Sequence, residues 1–219
     1  MQKRLAATLA TLACIQFTVC TASHAPEPDG QARIVPRGQP VTVDGSISGA
    51  EWQDADSVSF AVGDSVNATV RLKHDGSNLL AVFVFRRVPG VGFCIPEMLL
   101  DPNHDRSQAT APDDWWFHVS AQACAAPGRI DDYSLCTRTP DWGAARLYQI
   151  GGTPTAIDTI EVRIPFAKIG VQAGRTFGLA LRVEYQVPVG SAWSGRQGLW
   201  PAGAGASAPA TWGTFRIGD

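Results

Sequence analysis

Between Asp101 and Val119 the chain reads DPNHDRSQATAPDDWWFHV, with four carboxylates, an Asn and two Trp set between apolar runs. Asp101, Asn103 and Asp105 alternate as D-x-N-x-D, and Asp113 and Asp114 immediately precede the strand-like WWFHV. Oxygen donors at that spacing line one side of a tight loop. The chemistry they suit is a hard cation such as calcium, which takes six to eight oxygens, or a polyol. The Gly and the bidentate Glu of an EF-hand loop are both missing. Asp, Asn and Pro are also ordinary turn residues, so a plain acidic hairpin loop is the alternative.

The second chemistry is stacking. Seven Trp in 219 residues is a high count, and flat indoles take up the apolar faces of pyranose rings while nearby polar groups meet the hydroxyls. Trp142, Trp193 and Trp200 lie in stretches rich in Gly, Pro and Ser and are candidates for that role, led by Trp193 and Trp142. Trp115 and Trp116 are adjacent in a strand and so face opposite ways. One is expected to be buried and the other available, and Trp116 is taken as the available one. Trp52 and Trp212 are expected in the core. Arg163, Arg182 and Glu184 alternate with apolar residues on two strands that could be neighbours. They form either the polar lining of a cleft or a solvated face with cross-strand charge pairs.

Other chemistries fit poorly. Retaining glycosidases need two acids about 5 Å apart across a scissile bond, and acids gathered in one loop do not flank anything. No nucleophile elbow is present. His74, His104 and His118 are not paired at i,i+4, so zinc catalysis is not expected, and His118 is expected to point outward from its strand. The formal net charge is −2 with both signs interspersed, which lacks the basic stripe of a nucleic-acid binder.

The elements that must position these residues are short strands between turn clusters. Val70–Lys73, Ile160–Ile164 and Leu179–Glu184 alternate apolar and polar. Leu79–Phe85 is apolar throughout, as in a strand buried on both faces. Thr211–Phe215 closes the chain. Helix is limited to one or two turns, at Ser48–Ala55, where Ser48 and Glu51 form a capping pair, and at Phe166–Gly170. This pattern predicts an all-β chain, a single antiparallel β-sandwich of jelly-roll type.

Residues 1–25 read as a secretory signal peptide, with Lys3 and Arg4, an apolar run and Ser23-His24-Ala25 before the cut. Cys20 as a lipidated residue is the alternative. Residues 26–40 read as a mobile leader and residues 41–219 as the domain. No other segment is long and apolar enough to span a membrane. The mature protein is expected in the periplasm or outside the cell, as a monomer. Three cysteines remain: Cys94, Cys124 and Cys136. Pairing Cys124 with Cys136 closes a short loop at a gain of about 3 kcal/mol in the chain-entropy model. Cys94 with Cys124 is the competing pair.

Several segments, in order, resemble one family. VTVDGSISGAEWQDA is similar to the opening of family 9 carbohydrate-binding modules, and VRLKHDGSNLLAVFVF to their paired strands. LLDPNHDR…DDWWFHV resembles their Asp-Pro loop, and IEVRIPFAKIGVQAGRTFGLALRVEY their strand, Ile-Pro break, short helix and next strand. WP at Trp200 and TWG at Trp212 match the family's ending. The resemblance covers Val41 to Ile217. It implies a β-sandwich that binds sugar chains, often at their ends, between aromatic side chains, with structural calcium nearby and no catalysis. The family's late clamping Trp falls at Trp193 or Trp200. At the early clamp position FRRVPGVGF offers Phe85 and Phe93 but no Trp. DOMON-like domains in the same fold neighbourhood bind sugars or haem. A non-covalent haem with Met98 and one His as axial ligands is therefore a further alternative. The opposing reading is an exported scaffold or interaction protein that shares only the architecture.

Overall fold

The computed structural model describes residues 31–87, 94–120, 123–137, 141–147, 157–189 and 192–219. The expected signal peptide lies outside these residues. Two sheets stack face to face. The larger runs in the order β1 (Arg33–Val35), β12 (Gly213–Ile217), β10 (Thr176–Val189), β5 (Cys94–Asp101), β6 (Trp115–Val119) and β7 (Ala123–Pro127), with β11 (Ala192–Trp200) paired to the second half of β10. The smaller runs β2 (Asp56–Val62), β3 (Val66–His74), β4 (Asn78–Arg87), β9 (Ile157–Pro165) and β8 (Gly143–Leu147). Every pairing is antiparallel except β1 with β12. The chain is an all-β sandwich, as its alternation predicts.

The inner faces form one core. Val70, Leu72, Phe83, Phe85, Ile160 and Val162 of the small sheet meet Met98, Leu100, Phe117, Leu181, Val183 and Phe215 of the large one. Burying such side chains contributes roughly 1.5–3 kcal/mol each, the main favourable term of the fold. Met98 is part of this packing, the ordinary place for a core methionine.

Strand β4 is apolar at every expected position because its outer face is also covered. Trp52 lies over Leu80 and Val82 there. Lys73 is buried beside it, donating to Asp54 at 2.8 Å with its ammonium 5.2 Å from the Trp52 ring. The segment 48–55 makes two backbone turns, Glu51 to Ser48 and Gln53 to Ala50, in place of the expected helical turn. The other expected turn is present as α1 (Phe166–Ile169), which starts after Pro165 and stops at Gly170, whose φ of 69° suits glycine. A 3₁₀ turn at Pro209–Thr211 precedes β12.

The expected leader needs correction. Within residues 26–40, Arg33–Val35 forms β1, Val35 is buried in the core, and Arg37 bridges to His74. Three residues before a proline carry too little periodicity to be read as a strand. The ordered domain therefore takes in residues from at least Arg33, ahead of Val41. Among the described residues no helix is long and apolar enough to cross a membrane.

Candidate functional site

The outer face of the large sheet carries charge where a solvated or loop-covered surface is the rule. Cross-strand pairing sets Arg182 opposite Glu97, Glu97 opposite His118, and His118 opposite Cys124, one row across β10, β5, β6 and β7. Arg182, Glu97 and His118 are all buried. A His118 ring nitrogen lies 2.7 Å from a Glu97 carboxylate oxygen, and the Arg182 Nε donates to the other oxygen of Glu97. The two terminal nitrogens of Arg182 donate to both oxygens of Asp131, a bidentate pair of the strong, planar kind. Glu184, two residues on and half-buried, sits 3.6 Å from the same guanidinium.

The carboxylate of Asp131 comes from a loop that is stitched to the sheet. Cys124 and Cys136 form a disulfide, and Ala125 and Thr137 exchange backbone hydrogen bonds beside it. Cys94, the third cysteine, is buried and outside this bond. Of the two pairings open to the sequence, the short-loop one is realised. Tyr133, at the loop's tip, packs its ring at 80° to Trp116 and 90° to His118, with centroids 5.1 and 5.2 Å away.

Negative charge dominates this face. Oxygens of Glu97, Asp131 and Glu184 lie within 4.8 Å of one another around the single guanidinium. The Arg182 hydrogen bonds hold the Asp131 carboxyl below its ordinary range. For Arg182 itself, burial opposes the charge, but the bonds to Asp131 and Glu97 outweigh it and raise its affinity for its proton. Burial, then the Glu97 charge, raises the Glu184 carboxyl. Burial and then Glu184, Glu97 and Asp131 push the Tyr133 phenol up to about 12.

The acidic loop is a separate place. Asp101 is buried at the end of β5, and its two oxygens accept the backbone N–H groups of Asp105 at 3.2 Å and Arg106 at 3.0 Å. The Asn103 amide donates to exposed Asp105 and Asp113. Asp114 is buried and accepts the Ala111 N–H at 2.6 Å. Burial raises its carboxyl, the Ala111 bond opposes the rise, and the charges of Asp101, Asp113 and Asp105 add to it, leaving about 6. Asp101 thus closes the loop with its own amides, while Asn103, Asp105 and Asp113 gather at the surface.

Several expected binding residues fall elsewhere. Trp142 is only 8% exposed, edge-on to Phe117 at 5.2 Å, and Trp200 is 8% exposed against Phe215 at 5.4 Å. Both are core residues: Gly and Pro neighbours make a loop, but the partner rings that bury it come from distant strands. Trp116 does sit on the outer face, yet it is fully buried in a cluster with Leu99, Ala126, Ala180 and Trp212, with Tyr133 edge-on to it. Its neighbour Trp115 is half-buried on the inner side, stacked on Phe117 at 5.7 Å. Trp52 and Trp212 are buried as expected. Arg163 is exposed on β9 in the small sheet, so it does not share a face with Arg182 and Glu184. His118 is on the outer face but buried.

Trp193 pairs with Pro188 in β11, and its side chain is outside the described residues. The register gives it the parity of Gln197, opposite Glu184, and Leu199, opposite Arg182. Its backbone position is about 13 Å along the strand from the Glu184 row at the usual rise. Asp131 and Tyr133 were missed by sequence reasoning; the two flanking cysteines were the available signal. A cleft at the β1–β2 edge, bordered by Arg33, Ile34, Asp54 and Asp56, lies apart from this cluster. Its carboxylates are committed, Asp56 to Arg33 and Asp54 to Lys73.

A scan against protein-family models and a search of curated proteins both find no match. Among solved structures, a family 9 carbohydrate-binding module from Caldicellulosiruptor kristjanssonii in complex with cellotriose is similar at a TM-score of 0.59 and 17% identity, over 86% of this chain and 94% of that one. The module from the same organism in complex with glucose gives a TM-score of 0.60 and 18% identity, over 86% and 97%. The chain therefore has the fold of family 9 carbohydrate-binding modules.

Proposed function

We propose that this protein is an exported, non-catalytic carbohydrate-binding protein that holds a glycan or a sugar end on the outer face of its large sheet. The observation that carries the reading is the Arg182 cluster: a buried guanidinium that fixes Asp131 and leaves Glu184 half-exposed, as oriented acceptors for sugar hydroxyls. The solved structures of this fold that hold cellotriose and glucose support it. In this reading Trp193, four positions along β11 from Gln197, supplies a stacking ring. The Cys124–Cys136 bond supports export, because such bonds persist in oxidising compartments.

Calcium at the 101–114 loop is a separate part of the proposal. Asp105, Asp113 and Asn103 offer surface oxygens, and a cation there would offset the charges that raise Asp114. One observation favours the scaffold reading as second choice: Trp116, Trp142 and Trp200 are all buried, which removes three candidate platforms.

The test is Trp fluorescence and calorimetry of the protein against soluble neutral and charged oligosaccharides, cellotriose included. Saturable binding that Trp193→Ala weakens at least tenfold supports the sugar face. A flat response across the whole panel favours the scaffold.

A further inference from the structure

We infer that Tyr133, carried on the disulfide-closed loop, is the second stacking ring of the sugar face, in the place where the sequence lacks a second accessible Trp. The inference rests on the carbohydrate reading above and names a ligand-contacting residue for it.

Tyr133 is 55% exposed although two buried rings grip it. Contacts to both Trp116 and His118 fix its tilt, so the ring is presented to solvent in one orientation. The loop that carries it is held at every turn. The Cys124–Cys136 bond and the Ala125–Thr137 pair close its base. Asp131, in a left-handed conformation with φ of 65°, clamps Arg182 from two residues before the ring. Asp132 turns the chain around the ring, accepting from the Ser134 amide and hydroxyl and, by its carbonyl, from the Leu135 amide.

An exposed segment fixed at this many points has already lost its conformational freedom before any ligand arrives. A ring so held stacks on a sugar without a further ordering cost, which is how preorganised sites gain affinity. Tyrosine suits the task, being a flat amphipathic surface with only two side-chain torsions. Its neighbours add the polar half: Asp131 and Glu184 both act on the Tyr133 phenol. Along the face, Tyr133 stands over the Arg182 row and Trp193 lies toward the far end of β11. A linear oligosaccharide running obliquely from β6 across β5 and β10 to β11 would meet Tyr133 first, then Glu184 and Gln197, then the Trp193 end of β11.

The experiment titrates cellotriose and the wider oligosaccharide panel into the wild type, Tyr133→Ala, Tyr133→Phe, Trp193→Ala and the double variant Cys124→Ala/Cys136→Ala. Melting curves check that each is folded. The inference expects Tyr133→Ala to weaken binding at least tenfold, Tyr133→Phe to stay within about threefold because stacking needs the ring alone, and the cysteine variant to weaken it as Tyr133→Ala does. Binding unchanged in Tyr133→Ala but lost in Trp193→Ala overturns the role of Tyr133 and leaves the sugar face standing. No binding by the wild type to any sugar overturns both.

Discussion

The indole N–H of Trp52 donates to a carboxylate oxygen of Glu161, 109 residues further along the chain, at 2.8 Å. The other oxygen of Glu161 accepts the backbone N–H groups of Asp44 and Gly45, each at 2.9 Å. One buried carboxylate thus fastens the segment before β2 across the outer face of the small sheet.

Replacing Glu161 with Gln should turn an acceptor into a donor facing those N–H groups. Hydrogen bonds to a charged group are worth roughly 1.5–3 kcal/mol each, and they are not additive here. We expect a loss on the order of 3 kcal/mol, read as a lower urea midpoint, with sugar affinity unchanged. An unaltered midpoint would mean the segment is held by Trp52 packing alone.

Arg182→Met should strand Glu97, which is fully buried, without its guanidinium partner. Breaking a buried pair from one side costs about 3–5 kcal/mol, whereas replacing both partners with apolar groups is often neutral. The double variant Arg182→Met/Glu97→Met should therefore recover part of the stability lost by the single one. Denaturant unfolding of all four members of the cycle decides it; simple additivity would show that the two side chains do not depend on each other.

Asp114 sets the sign of one pH effect. Its carboxyl stands at about 6 in the fold, above its ordinary 3.8. A raised carboxyl favours the folded state when protonated, so this contribution is fully present below about 3.8 and lost as pH rises through about 6. In chelator, the wild type should gain more melting temperature between pH 7 and pH 5 than Asp114→Asn does. Added calcium at pH 7 should raise the wild-type melting point and shrink that difference. Identical pH slopes for the two proteins would remove Asp114 from the account, and no response to calcium would remove the cation.

Trp142→Ala and Trp200→Ala should act on stability. Removing a large ring from a packed interior costs about 3–5 kcal/mol. Calorimetric unfolding should record that loss, while the folded fraction binds sugar as the wild type does. Weaker sugar binding at unchanged stability would return either residue to the site.

The strands were legible where side chains alternate: Val70–Lys73, Ile160–Ile164 and Leu179–Glu184 lie within β3, β9 and β10, and fully apolar Leu79–Phe85 lies in β4. Which sheet each strand joins was not legible. Arg163 and Arg182 occupy similar local patterns but end in different sheets, because pairing is decided by partners far along the chain. Burial of Trp was legible for Trp52, in the amphipathic opening segment, and for Trp212, at the closing strand. It was not for Trp142, buried by Phe117, nor for Trp116, covered by a loop that a disulfide, a backbone pair and an ion pair fold back. The Arg182–Glu184 half of the site was visible as a polar stripe. The Asp131–Tyr133 half sits in a turn-rich stretch whose return to the sheet depends on tertiary contacts.

The row formed by Arg182, Glu97 and His118 also governs how the strands can align. Strand residues alternate between faces, so a slip of one position turns every side chain over. If β5 slid by a single residue against β10, Glu97 would enter the space between the sheets where Met98 now packs, and Arg182 would face outward alone. A slip of β6 would drive His118 inward in place of Phe117. Each error places a charged or polar group in an apolar interior with its partner on the opposite side, at a cost of several kcal/mol. Three of the central strands therefore carry a built-in check on their mutual alignment during assembly, enforced by the side chains that the finished fold turns toward its surface.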